Sequence, residues 1–405
     1  MINPADTAFM LTATALVLIM TPGLAFFYGG LVGRKSVVAI MMQSMVSLGV
    51  TTVLWVTVGY SFCFGTDIGG VIGNPLDFLL MRGIAAGDIY EGLGIPVFLF
   101  AAYQLMFAII TPALITGAFA NRMTFKAYLT FLVTWQVVVY YPFVHMVWGG
   151  GWMAEFGVLD FAGGIVVHAL AGMAALATVF FLGARRVSEP EPHNIPFVAL
   201  GTALLWFGWF GFNAGSALAV NEISTLAFIN TQIGGAFAGV TWMILDWTLR
   251  KKPTLVGFCV GAIAGLATIT PAAGFVAPQG AMLIGILAGS IPYAAVRFRQ
   301  KKNWDDALDV WGVHGIGGIV GIIALGLLAT TQMNPAGADG LFYGESAFFM
   351  KELVGLAVAV AWAFFVTYAL LWVINKVTPV RVSDEAEQAG LDGALHGEKA
   401  YTSAN

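Results

Sequence analysis

Long apolar stretches alternate with short polar breaks along almost the whole chain. Crossing about 30 Å of hydrocarbon as a helix takes roughly 20 apolar residues. Runs of that size lie near 8–31, 37–64, 95–119, 125–147, 161–183 and 196–218. Five more lie near 226–249, 254–273, 279–298, 308–331 and 348–376, and charges, prolines and polar clusters collect in the breaks. The pattern predicts an all-α polytopic membrane protein with 11 transmembrane helices. Residues 1–6, Met-Ile-Asn-Pro-Ala-Asp, lack the basic stretch that opens a signal peptide, so the first run is expected to be a retained span.

The basic residues orient these spans. Arg34, Lys35, Arg122, Lys126, Arg185, Arg186, Arg250, Lys251 and Lys252 follow the first, third, fifth and seventh runs. Arg297, Arg299, Lys301 and Lys302 follow the ninth, and Lys376, Arg381 and Lys399 the eleventh. Sixteen of the 18 basic residues thus fall in alternate breaks, with only Arg82 and Lys351 elsewhere. The positive-inside rule makes the basic breaks cytoplasmic, which places the N-terminus outside and the C-terminus inside.

Two short patterns recur with the same offset. Asp160, six residues and Val167-His168 reappear as Asp306, six residues and Val313-His314. Ile110-Thr111-Pro112-Ala113 in the third run reappears as Ile269-Thr270-Pro271-Ala272 in the eighth. An offset of five spans makes each matched pair cross in opposite directions, which predicts a five-plus-five inverted repeat plus one extra helix. The expected organisation is a transmembrane domain over 1–376, with repeat halves about 8–183 and 196–331 and the eleventh helix at 348–376. A tail follows at 377–405; its polar, acidic, glycine-bearing composition alone describes a flexible segment.

Composition strengthens this reading and removes others. Apolar residues make up 59% of the 405 and charged residues only 10%, too few to cover a soluble domain. A net charge of −4 does not suggest nucleic acid. Cys63 and Cys259 stand in separate apolar runs without metal spacing, which suits core thiols. No HExxH, GxSxG or P-loop pattern supports catalysis, and no metal or cofactor is expected. Most of the 50 glycines are read as close helix packing, since small residues let backbones approach in lipid.

Ionisable groups inside a bilayer are costly and therefore point to function. His168 and His314 each lie about seven residues into a span, from opposite faces, and the repeat axis would bring their rings together near the midplane. Asp160 and Asp306 stand just ahead of apolar runs, where an N-cap is the structural reading; the negative field of Asp160 would also favour a cation nearby. Asp246 and Asp309 are assigned interhelical hydrogen bonds near the cytoplasmic ends. Tyr103, Phe107, Tyr140, Tyr141, Trp148, Trp152, Trp209 and Phe212 crowd the outer ends of the third to sixth runs. An interfacial belt accounts for many of them; a subset suits a cation–π cage, with Ser216 as hydroxyl acceptor.

Over nearly its whole length the chain resembles the ammonium transporter family (Amt/Mep/Rh). The run Asp160-Phe161-Ala162-Gly163-Gly164-Ile165-Val166-Val167-His168 looks like that family's signature. So do Pro22-Gly23 with Phe26-Phe27-Tyr28-Gly29-Gly30, the run from Trp206 to Ser216, and Thr270-Pro271-Ala272-Ala273-Gly274-Phe275. The tail matches in Gly390-Leu391-Asp392, His396-Gly397-Glu398 and Ala400-Tyr401. Ser216 and the intact histidine pair look like the Amt branch rather than the Rh branch; Tyr103 departs, standing where many relatives carry phenylalanine.

The resemblance implies a homotrimer in the plasma membrane (the inner membrane of a prokaryote), serving nitrogen uptake through one narrow pore per subunit. It implies recruitment of ammonium, or its analogue methylammonium, at Phe107, Trp148 and Ser216 with Tyr103 and Trp209 close by, and a gate of stacked Phe107 and Phe212. His168 and His314 would face each other in the lumen below. It further implies a tail docked on cytoplasmic loops of its own and a neighbouring subunit, with Arg185, Arg186, Arg250 to Lys252, Lys301 and Lys302 as partners for its carboxylates. A PII-type signalling protein is the implied partner at that face. Two rivals stand beside this reading. A bis-histidine haem protein would show a Soret band, and a neutral-gas channel of the Rh type would carry no charge.

Overall fold

The structure, a computed structural model, describes residues 1–187 and 191–401. Among them ten helices are long and apolar enough to cross a membrane. They are Pro4–Leu31, Val37–Phe64, Val97–Phe119, Phe125–Phe156, Gly164–Leu182, Ile195–Ala217, Glu222–Arg250, Pro278–Lys301, Trp311–Leu328 and Ser346–Val377. A shorter apolar helix, Leu255–Ile269, lies between the seventh and eighth of these in the chain. All eleven are numbered here in chain order, so that Leu255–Ile269 is helix eight.

Local chemistry sets the helix starts. Asn3 caps helix one by accepting from the Ala5 and Asp6 N–H groups, just ahead of Pro4. Thr124, Asn194 and Thr254 cap helices four, six and eight, and Asn221 with Ser224 forms a reciprocal capping box on helix seven. Helix four bends at Gly149–Gly151, where the Gly149 N–H doubles back to the Val144 and His145 carbonyls. A large loop joins helices two and three and contains the small antiparallel pair Asp67–Ile68 and Ile72–Gly73. His145 ties this loop down: its Nδ1 meets the Cys63 carbonyl and its Nε2 the Asp67 carboxylate, each at 2.9 Å. That bond, with the Gly70 N–H, holds the exposed Asp67 carboxyl below its ordinary range.

Helix eight departs from the expected 254–273. It stops at Ile269, although the same Ile-Thr-Pro-Ala string runs on as helix at Pro112 in helix three. The residues after Ile269 are irregular backbone, which survives away from water only where protein partners satisfy it. They do so here. Asn230 donates to the Ala273 and Val276 carbonyls at 2.9 and 2.8 Å, and Asn334 to the Gly274 carbonyl at 3.0 Å. Helices three and five are almost wholly buried, whereas helix eleven packs along one side of the bundle and is largely exposed.

The tail is folded onto the face that carries the basic loops. Thr124 and Val382 N–H groups bond the Val380 and Arg122 carbonyls at 2.9 Å each. Leu391 is buried against Ala39 and Val382, and the Asp392 carboxylate accepts the Ala39 N–H at 2.8 Å. Its partners differ from those expected. Arg186 does meet Asp384, and its backbone N–H bonds Glu387. Arg185, however, is held by Asp305 and Arg250 by Asp246, so the tail rests on the loops at Lys35 and Arg122 instead. Residues 378–401 are thus held by contacts that composition does not encode.

Candidate functional site

Helices five and ten each begin with a wide turn bonded i to i+5, Gly164–Ala169 and Trp311–Gly315. Such turns re-aim side chains and collect at functional sites. Asp160 organises the first: Oδ1 accepts the Gly163 and Gly164 N–H groups at 2.9 and 2.6 Å, and Oδ2 those of Ile165 and Val166 at 2.8 and 3.1 Å. Asp306 accepts the Trp311 N–H at 2.7 Å in the matching place. Both aspartates therefore act as helix caps, as their sequence positions suggested.

The two helices cross at glycines. A Cβ on Gly172 would lie 2.1 Å from the Gly315 backbone, so helix five has no room for a side chain there, whereas a Cβ on Gly315 would meet the Gly172 backbone at 3.2 Å. This crossing, one turn beyond His168 and directly after His314, brings their Nδ1 atoms within 3.2 Å, with near-parallel rings. Both residues are buried. An Nδ1–Nδ1 hydrogen bond at this distance needs one ring to donate and the other to accept. His168 Nε2 has no hydrogen-bond partner among the described residues.

The space beside the pair is small. A cavity of about 10 Å³, the room of one water molecule, is lined by His168, His314, Phe212, Trp209 and aliphatic side chains that include Leu114 and Val167. Above it Phe107 and Phe212 stack, tilted by 32°, with centroids 4.3 Å apart, Phe212 lining this cavity and Phe107 the next. Beyond that stack lies a cup of about 380 Å³ on the face opposite the basic loops, walled by Tyr103, Phe107, Trp148, Phe161 and Ser216. Trp148 stands edge-on to Phe107 at 5.9 Å and donates its Nε1–H to the Asp160 carbonyl at 2.8 Å. Ser216 donates to the Phe212 carbonyl at 2.9 Å, which leaves its lone pairs free to accept, and its Oγ lies 3.2 Å from the Tyr103 hydroxyl. Cup, ring stack and histidines thus form one continuous series.

A model of the ammonium transporter family matches residues 8–401, essentially the whole chain. The chain belongs to the ammonium transporter family. It is 46% identical over 400 residues to an ammonium transporter of Bacillus subtilis, covering 98% of both chains. It is 45% identical over 403 residues to ammonium transporter Amt1 of Archaeoglobus fulgidus, covering 99% of this chain and all of that one. Its fold is similar to the crystal structure of Candida albicans Mep2, with a TM-score of 0.89 at 34% identity over 95% of this chain and 87% of that one. A solved sensor Amt protein is similar at a TM-score of 0.89 and 28% identity, over 97% and 98% of the two chains. This member of the ammonium transporter family is accordingly a multi-pass protein of the plasma membrane, and a transporter rather than an enzyme.

One residue assigned to the cup from sequence stands elsewhere in this family member. Trp209 lies below the Phe107–Phe212 stack, 5.5 Å from the His168 ring, and donates its Nε1–H to Thr270 at 2.9 Å. Its distance along helix six did not reveal this, because Phe212 a turn later turns into the path between them. Sequence reasoning also passed over Phe161 and Gln104 in the cup, and Glu352, a carboxylate buried in helix eleven. For Glu352 the signal was available, since a charged residue inside a predicted span is itself a pointer. No metal-ligating cluster is found among the described residues.

Proposed function

We propose that this protein moves ammonium or ammonia across the plasma membrane through a narrow hydrophobic pore in each subunit of a homotrimer. The series of aromatic cup, stacked rings and paired histidines carries the reading. A cation approaching the cup meets the faces of Phe107, Trp148 and Tyr103 and the Ser216 oxygen, so it is held best if it also donates hydrogen bonds. Cation–π attraction is worth about 2 kcal/mol or more once the cation is desolvated. Below the Phe107–Phe212 gate the walls are apolar. Burying an unpaired ion there costs several kcal/mol or more, which potassium cannot escape and ammonium escapes by losing its proton. His168 and His314 then offer donor and acceptor nitrogens that can carry a proton along the lumen.

In this reading eleven helices cross the membrane, with the N-terminus outside and the basic loops and tail in the cytoplasm. The matching caps at Asp160 and Asp306, the matching wide turns and the paired close approaches of Gly172 to Gly315 and Gly318 to Ala169 favour a five-plus-five inverted repeat. Methylammonium is the expected transported analogue, and a PII-type signalling protein the expected partner on the tail face. Haem between the histidines is disfavoured, since they touch at 3.2 Å beside a space fit for one water. Purified protein in liposomes on a solid-supported membrane tests the reading. Ammonium pulses should drive a current that potassium pulses do not, and equal responses to both would reject it. An ammonium flux without current would favour the neutral-gas alternative.

A further inference from the structure

Resting on the outer-site reading above, we infer that Glu352 of helix eleven is a positioning residue that sets the affinity of the cup through the loop beneath Trp148. Glu352 is fully buried, and its Oε1 accepts the Leu159 N–H at 2.6 Å. Leu159 precedes Asp160, whose carbonyl receives the Trp148 Nε1–H at 2.8 Å and whose carboxylate caps helix five. The chain of contact is therefore Glu352 to the Leu159 amide, Leu159 to Asp160, and Asp160 to the indole that walls the cup. Two neighbours of Glu352 hold the same loop. The Lys351 ammonium lies 5.8 Å over the Phe156 ring, and the bare backbone of Gly355 faces Val158, where a Cβ would come within 2.9 Å.

The second oxygen of Glu352 makes the case specific. Among the described residues the buried Oε2 has no hydrogen-bond partner, so the side chain's one recorded bond is to the amide of the loop. A buried acceptor with a single bond still matters, because removing it leaves the part-buried Leu159 N–H without its recorded acceptor. The loop would then shift to find another acceptor and carry the Asp160 carbonyl with it. Trp148 would lose its tether, while the gate and the histidine pair, which Glu352 does not touch, would keep their geometry. Substrate recruitment should weaken while maximal flux through the lumen holds.

The test compares Glu352→Leu with Glu352→Gln, measuring ammonium-evoked current against ammonium concentration in proteoliposomes carrying matched amounts of the full-length protein. Glu352→Leu keeps the volume but cannot accept; it should raise the half-saturating concentration roughly five- to tenfold at near-normal maximal current. Glu352→Gln keeps an amide oxygen at the same reach and should return to near wild type. A wild-type concentration dependence in Glu352→Leu overturns the inference, as does a fall in maximal current alone. Equal weakening in both variants overturns it too, since charge rather than the acceptor would then be responsible. Should Glu352→Leu fail to accumulate, Glu352→Asp, one methylene short of the amide, takes its place with the same expectation. Trp148→Leu run in parallel separates the two levels of reasoning. If it leaves the half-saturating concentration unchanged, the outer-site reading fails; if it raises it while Glu352→Leu does not, only the positioning role fails.

Discussion

Replacing Gly172 with alanine should damage the pore far more than the same change at Gly315, although the two glycines face each other. A Cβ at Gly172 would sit 2.1 Å from the Gly315 Cα and N, about 1.3 Å inside the 3.4 Å at which ordinary contact begins. A Cβ at Gly315 would meet the Gly172 backbone at 3.2 Å, only about 0.2 Å inside it. The obstacle in both cases is backbone, which cannot rotate away, so helices five and ten must part. Overpacking of this kind costs about 1–3 kcal/mol at Gly172. The same separation acts on the histidines, His168 one turn from Gly172 and His314 next to Gly315: adding more than 1 Å to their 3.2 Å contact takes it beyond hydrogen-bond range. Losing one buried bond worth about 1–1.5 kcal/mol on the transport path corresponds to roughly a tenfold fall in ammonium flux. Gly315→Ala should stay within about twofold of wild type, since a shift of tenths of an ångström leaves that bond in place. The assay is ammonium-evoked current normalised to the amount of protein in the liposomes, with the thermal unfolding midpoint of both variants beside it. Wild-type flux and unfolding midpoint in Gly172→Ala, or equal losses in the two variants, would refute the reasoning.

Three further outcomes are expected. His168→Ala and His314→Ala should each leave a folded, membrane-inserted protein whose ammonium conduction or discrimination against potassium is altered; unchanged flux and selectivity in both would remove the pair from the mechanism. Trp148→Leu should weaken recruitment of ammonium or methylammonium several-fold, because it removes a cation–π wall worth about 1–2 kcal/mol, without lowering the amount of folded protein. Gly390→Asp should undock the tail, since φ is +97° there and a Cβ would lie 2.4 Å from that of Lys35; transport should fall while the amount of protein in the membrane holds. Proteolytic trimming after Arg381 with no loss of transport would show instead that the tail is a passive extension.

The positions of the spans were legible in the chain because lipid offers the backbone no partner other than itself. Wherever some 20 apolar residues run together, a helix satisfies every peptide group, so hydropathy and helix nearly coincide. The histidine pair was legible for a related reason: an Asp-x6-Val-His string at an offset of five spans places its two copies by symmetry. What the chain alone left open was every feature decided by distance between helices. Ile110-Thr111-Pro112 stays helical whereas Ile269-Thr270-Pro271 ends its helix, because Asn230 of helix seven and Asn334 of the loop after helix ten reach the freed carbonyls around Ala273 and Gly274. Trp209 lies beneath the ring stack rather than in the cup because Phe212 leans over Phe107, a matter of how helices three and six are spaced. The tail rests on the loops at Lys35 and Arg122 through backbone hydrogen bonds, which no pattern of charges announces, while Arg185 and Arg250 pair with Asp305 and Asp246. Glu352 reads in sequence as one charge at the edge of a span; only tertiary packing sets it under the Leu159 amide, where a single hydrogen bond connects helix eleven to the cup.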